Sequence, residues 1–157
     1  MKKFIRSAAC AVDAIHRKVD LLGPLGNLAL RLWVAYVFFR SGMLKYGSWD
    51  STMYLFENEY HVPLLTPNTA ALMATGVELL FPALLVLGLG GRFAALVLFV
   101  FNIMAVISYP DLEASGIRDH QIWGVMLFVL VVQGPGKLSV DYFLRKKYCS
   151  GQPSANC

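Results

Sequence analysis

The sequence predicts an all-α integral membrane protein: a four-transmembrane-helix bundle with short amphipathic surface helices. Three observations point there. The 157 residues are 57% hydrophobic, with a mean hydropathy of +0.54, and only 15% are charged, against about a quarter in a soluble domain. Four apolar stretches each approach the roughly 20 helical residues that a hydrocarbon core requires. Lys and Arg also divide unevenly between the loops these stretches leave on the two sides. Four spans use about 80 residues, so one bundle fills the chain and leaves no room for a soluble domain. The net charge of +4 comes from basic residues near the chain ends, where charge sets topology, and calls for no nucleic-acid partner.

Residues 1–25 read as a basic amphipathic N-terminal segment. Apolar Phe4, Ile5, Ala8, Val12, Ile15, Val19 and Leu22 recur at helical spacing against a basic face, the pattern of a helix lying on a membrane surface. A poorly ordered basic leader is the competing reading. Asp13, His16, Arg17 and Lys18 interrupt the apolar run too early for a signal peptide. Gly23-Pro24 then resets the chain.

The first span covers 26–46, with Gly47 as its C-cap. It carries three cations. Arg31 and Lys45 lie near its ends, where long side chains snorkel to the interface. Arg40 lies deeper, ~9 Å from the outer end. At about 100° per residue, Arg31, Phe38, Gly42 and Lys45 share one face; Trp33, Tyr36 and Arg40 share the other. In the connection 48–68, Trp49, Met53, Phe56 and Tyr60 mark a short amphipathic helix at headgroup level. Glu57, Glu59 and His61 match no metal-ligand spacing and read as a solvated acidic loop. Thr66-Pro67 is an N-cap followed by a first-turn proline.

The second span, within 69–91, organises the rest. Glu78 sits inside it, where a carboxylate costs about 2.5–3.5 kcal/mol even on a lenient insertion scale. Pro82 denies the Glu78 carbonyl its helical donor and predicts a kink at the acid. A glycine turn at 88–91 leads to the third span, 92–109, whose interior holds Asn102. The fourth span, 117–133, opens with Arg118, Asp119, His120 and Gln121, and GPGK at 134–137 ends it. A second surface helix follows over 139–149, and residues 146–157 form a flexible C-terminal tail. The membrane domain is 26–145.

One side holds Lys2, Lys3, Arg6, Arg17, Lys18, Arg92, Lys137, Arg145, Lys146 and Lys147. The other holds Arg118 with Asp50, Glu57, Glu59, Asp111, Glu113 and Asp119. Both termini are therefore assigned to the cytoplasm. Cys10, Cys149 and Cys157 then lie in a reducing compartment, and with no CxxC pair they make neither a zinc site nor a redox dithiol.

Depth brings the polar groups together. Glu78 lies ~13 Å, Arg40 ~9 Å and Asn102 ~10 Å from the outer surface, and His120 with Gln121 starts the fourth span there. The five residues Arg40, Glu78, Asn102, His120 and Gln121 predict an outward-opening ligand pocket with Arg40 and Glu78 as an ion pair. Glu78 and His120 are its candidate catalytic groups. The competing reading is interhelical glue with nothing bound. His16, His61 and His120 offer no haem pair within the bilayer, and neither haem nor a structural metal is expected.

These residues also resemble the DoxX family. RLWVAYVFFRSGMLKYG (31–47), GVELLFPALLVLGLGGRFAALVL (76–98) and GPGKLSVDYFL (134–144) are similar to its successive helices and closing segment. The matching positions are Arg31, Gly42, Lys45, Gly76, Glu78, Arg92, Gly134, Pro135, Gly136, Lys137 and Asp141. The resemblance implies a four-helix bacterial inner-membrane protein. It also implies a link to thiosulfate:quinone oxidoreductase subunits or to redox and metal-peptide systems. The core has no cysteine for independent sulfur chemistry.

Three functions follow as expectations. The first is a quinone-linked oxidoreductase subunit, at most accessory in catalysis, with quinone as cofactor and membrane or periplasmic redox partners. Trp33, Tyr36, Trp49 and Trp123 would line the apolar part of its pocket. The second is a small-solute transporter component, for which four helices call for a homo-oligomer. The third is a non-catalytic scaffold for partner proteins.

Overall fold

The computed structural model describes residues 19–149, and every regular element among them is helical. In order they are α1 (Gly23–Gly47), α2 (Trp49–Asn58), α3 (Pro67–Leu87), α4 (Gly91–Ser108), α5 (Ala114–Gln133) and α6 (Val140–Cys149). Most of the basic N-terminal segment and the tail beyond Cys149 lie outside the described residues.

Local chemistry explains the boundaries. Pro24 sits in the first turn of α1. Ser48 rather than Gly47 caps its end: the Ser48 N–H bonds to Leu44 O at 3.2 Å. Thr66 Oγ1 accepts from the Thr69 N–H at 3.4 Å, and Pro67 opens α3 as the first-turn proline signals. α3 runs unbroken through Pro82, which is buried. It ends at Gly88, in the left-handed region with φ +67°, where a side chain would also strike Ser139 and Arg31. α5 begins at Ala114, three residues before the predicted start.

Four long helices surround a shared core. α1 packs chiefly on α3, α3 on α4 and α4 on α5, while α5 returns to α1. Val34 and Phe38 of α1 meet Leu85, Ala94, Ala95, Leu98, Leu127 and Leu130 from the other three. Small residues permit close crossings. At Gly42 an added Cβ would lie 2.9 Å from the Glu78 Cβ and 3.0 Å from the Leu79 side chain, so α1 and α3 meet closely beside the acid. α2 folds back onto the start of α3: Phe56 joins Ala70, Ala71 and Ala74, with Trp49, Met53 and Tyr60 packed around them. These are the four residues whose spacing marks that helix in the sequence.

The outward faces are apolar. Leu32, Trp33, Tyr36, Phe39, Met43 and Leu44 stand exposed on α1; Ile122, Val125, Phe128 and Val132 do so on α5. α3 and α4 are each long and apolar enough to cross a membrane, with hydropathy of 2.0. Apolar surface of this extent is foreign to a soluble monomer.

One end of the bundle is clasped shut. Arg31 is only 1% exposed; it donates through Nη1 to Pro135 O at 2.7 Å and through Nη2 to Leu138 O at 2.6 Å. Asn27 Nδ2 donates to Gly134 O at 2.9 Å. The snorkelling predicted for Arg31 is therefore corrected. Its guanidinium turns into the bundle because the 134–138 loop presents carbonyls that replace water. Asp141 fastens α6 to the α3–α4 turn by accepting from the Gly90 N–H at 2.9 Å and the Gly91 N–H at 3.0 Å.

Candidate functional site

The opposite end is open and polar. Lys45, in the last turn of α1, reaches Glu78 with Nζ 2.7 Å from Oε2 and 2.9 Å from Oε1. It also donates to Ser41 Oγ at 2.9 Å. All three ammonium donors are thereby placed. The carboxylate is 6% exposed and the lysine side chain 16%, so neither charge is tolerable without the other.

The Arg40–Glu78 pair predicted from depth is corrected by this contact. Arg40 is exposed, while the inward face of α1 carries Phe38, Gly42 and Lys45. Depth alone favoured Arg40, but a side chain cannot cross its own helix. Lys45 lies nearer the helix end, and its four-carbon stem spans the difference in height.

Arg40 nevertheless lines the same cavity as the pair. About 440 Å³ opens between α1, α4 and α5, walled by Arg40, Lys45, Glu78 and His120 with aromatic Tyr36 and Trp123. His120 is held on two sides. Its backbone carbonyl accepts from Asn102 Nδ2 at 2.9 Å, and its Nδ1 lies 2.8 Å from Asn102 Oδ1. That carbonyl bond fixes the amide orientation, so Oδ1 is the acceptor facing the ring. Nδ1 must then carry the proton, which leaves Nε2 as the acceptor of a neutral imidazole. The Trp123 ring packs edge-on to the imidazole at 4.8 Å.

Glu78, Arg40 and His120 thus share one cavity, and buried Asn102 orients the histidine from behind. Gln121 is not on the wall of that cavity; one residue further along α5 it turns about 100° away and lines an external groove, beside Ile117 and Val125, to which His120 and Asn102 also contribute. Of the predicted aromatics, Tyr36 and Trp123 line the cavity. Trp33 is exposed, and Trp49 packs in the α2 cluster. Gly76 is also outward-facing, with nothing within 4 Å of an added Cβ.

Lys45, Ser41, Tyr60 and Tyr109 were not legible as site residues from depth. A small residue and a cation three apart on one face, Gly42 and Lys45, are the signal that locates the crossing. Tyr60 and Tyr109 form a lip at the mouth, their rings 5.0 Å apart. Tyr109 Oη donates to Glu59 Oε2 at 3.2 Å, and Ser108 O accepts from the His61 N–H at 2.8 Å. The hydrogen bond to Glu59, then its charge, raises the Tyr109 phenol pKa. Burial does the same for Tyr60, with Tyr109, Glu78 and Glu59 adding to it.

A second chamber of about 220 Å³ lies across the pair. Lys45, Tyr60, Glu78, Phe101 and Ala105 wall both spaces. The second is apolar, bounded by Phe56, Val62, Met73 and Val77. A chamber with charged and aromatic walls and an apolar one therefore meet at the ion pair.

An all-helical chain with lipid-compatible outer faces and a buried charged pair at its core is a membrane protein. The sequence model of the DoxX family matches residues 26–110, and a protein of Haemophilus influenzae, described only as an uncharacterized protein, is 34% identical over 149 residues, covering 88% of this chain and 92% of its own length. The chain belongs to the DoxX family. No solved structure matches it.

Proposed function

We propose that this protein is a four-span membrane subunit of a quinone-linked oxidoreductase system, and that the cavity at Lys45–Glu78 takes the quinone head group. The carrying observation is the convergence of Arg40, His120 and the Lys45–Glu78 pair on one aromatic-walled space, adjoined by an apolar chamber. A quinone ring carries two acceptor oxygens and, when reduced, two hydroxyl protons. Arg40 supplies donors to the oxygens. Nε2 of His120 would accept one quinol hydroxyl proton, with Asn102 holding the ring for it, and the second would leave to water at the open mouth of the cavity. Electrons pass to and from a partner redox protein.

The outward apolar side chains on α1 and α5, beside the two strongly apolar helices α3 and α4, support four spans. The acids Asp50, Glu57, Glu59, Asp111, Glu113 and Asp119 stand at the cavity end, and Arg92, Lys137 and Arg145 at the clasped end. This asymmetry supports an inner-membrane topology with the cavity facing outward and both termini cytoplasmic.

The test is quinone extraction from the purified protein, followed by thermal unfolding with a short-chain quinol. The reading expects retained quinone in the native chain and an upward melting shift that His120→Ala diminishes. Protein free of quinone and indifferent to quinol overturns it.

A further inference from the structure

The clasped end holds another hollow, of about 370 Å³, between the first turn of α4 and residues 133–145. Two guanidiniums line it, Arg92 from α4 and Arg145 from α6, with Gln133 and Tyr142 beside them. Arg92 makes one weak contact, Nη2 to Val132 O at 3.3 Å. Among the described residues no carboxylate pairs with either arginine. Asp141 stands on the same wall, but its two oxygens are taken by the Gly90 and Gly91 N–H groups. The nearest acid is thus engaged, and the hollow keeps net positive charge.

Its surroundings indicate what fills it. Phe93, 63% exposed, forms part of the wall, and Phe143, 61% exposed, stands on α6 nearby. Lys137, Lys146 and Lys147 are exposed around the same end. Paired cations beside apolar surface, at the end of a bundle with lipid-compatible flanks, match a phosphate joined to acyl chains.

We propose that Arg92 and Arg145 bind the phosphate of an anionic phospholipid at this membrane surface. The guanidiniums supply forked donors to the phosphate oxygens, and Phe93 gives the glycerol and first methylenes an apolar wall. A zwitterionic lipid is disfavoured, because its choline brings a cation towards two others. The site is independent of the quinone cavity, which lies at the other end of the same helices.

Native mass spectrometry of the full chain in detergent, with phosphatidylglycerol or phosphatidylcholine added, tests this. The wild type retains phosphatidylglycerol in preference, and Arg92→Gln with Arg145→Gln weakens retention about 25-fold, as loss of two interfacial arginines predicts. Arg145→Gln alone, on an exposed helix face, weakens it about fivefold and serves if the double variant fails to fold. Lys146→Gln with Lys147→Gln changes it less than twofold. An equal loss from the lysine pair means diffuse surface attraction and overturns the site. Undiminished preference in the arginine variants overturns it too. Inorganic phosphate is the second arm: if it raises the wild-type melting temperature and displaces the lipid, both lost in the arginine variants, a soluble phosphate ligand replaces the lipid and that half of the proposal falls.

Discussion

Arg31 and Lys45 are both cations on the inward face of α1, yet the two ends of the bundle accommodate them differently. Arg31 meets no carboxylate. Backbone carbonyls of the 134–138 loop solvate it, and it is sealed from every cavity described. Lys45 meets Glu78 instead, with an open chamber on either side. A charge held by carbonyls of a fixed loop has nothing to exchange with, since those groups are neutral and immobile. A charge held by another charge beside empty space can trade part of that contact for a ligand. The first arrangement closes a fold; the second makes a site.

Substitutions can break or sharpen that contrast. The largest effect is expected from Arg31→Met, which orphans two carbonyls and removes two charge-assisted bonds, a loss of about 3–5 kcal/mol. Thermal unfolding of the purified protein should show it, with the quinone binding proposed for the far cavity unchanged in the folded fraction; Arg31→Lys, lacking the planar fork, restores only part. Glu78→Gln should cost about 3 kcal/mol, the low end for a broken buried pair, because Lys45 keeps Ser41 and some exposure. Joining Lys45→Met to Glu78→Leu should return stability to within about 1 kcal/mol of wild type while abolishing the quinone retention proposed for the cavity. A double variant as unstable as the single one would place the pair with Arg31 as a closing device. Among the single variants the smallest effect is Gly42→Ala, about 1–2 kcal/mol from overpacking against Glu78 and Leu79, read as a lower melting temperature.

Much of the fold is legible in the sequence because its signals are local. Thr66-Pro67, Gly88 to Gly91, and the aromatic repeat from Trp49 to Tyr60 each act through nearest neighbours or one helix face. The helix ends they mark agree with the structure within a few residues. The partner of Glu78 is a relation between two helices, and there depth misled where face did not. Arg31, Phe38, Gly42 and Lys45 fall on one face by periodicity alone, and that is the face that meets α3. The carbonyl clasp around Arg31 was illegible for a different reason: carbonyls carry no side-chain signature, and those that bind it lie 104 and 107 residues further along the chain.

That sequence distance has a bearing on how the protein is made. During synthesis the α1 guanidinium leaves the ribosome 104 and 107 residues ahead of Pro135 and Leu138. Until they do, water, lipid phosphate or the insertion machinery must keep it company. The 134–138 loop is then the one that drives out those temporary hosts. Assembly should finish in a single late step, with the first helix free to shift until the final strand of carbonyls arrives.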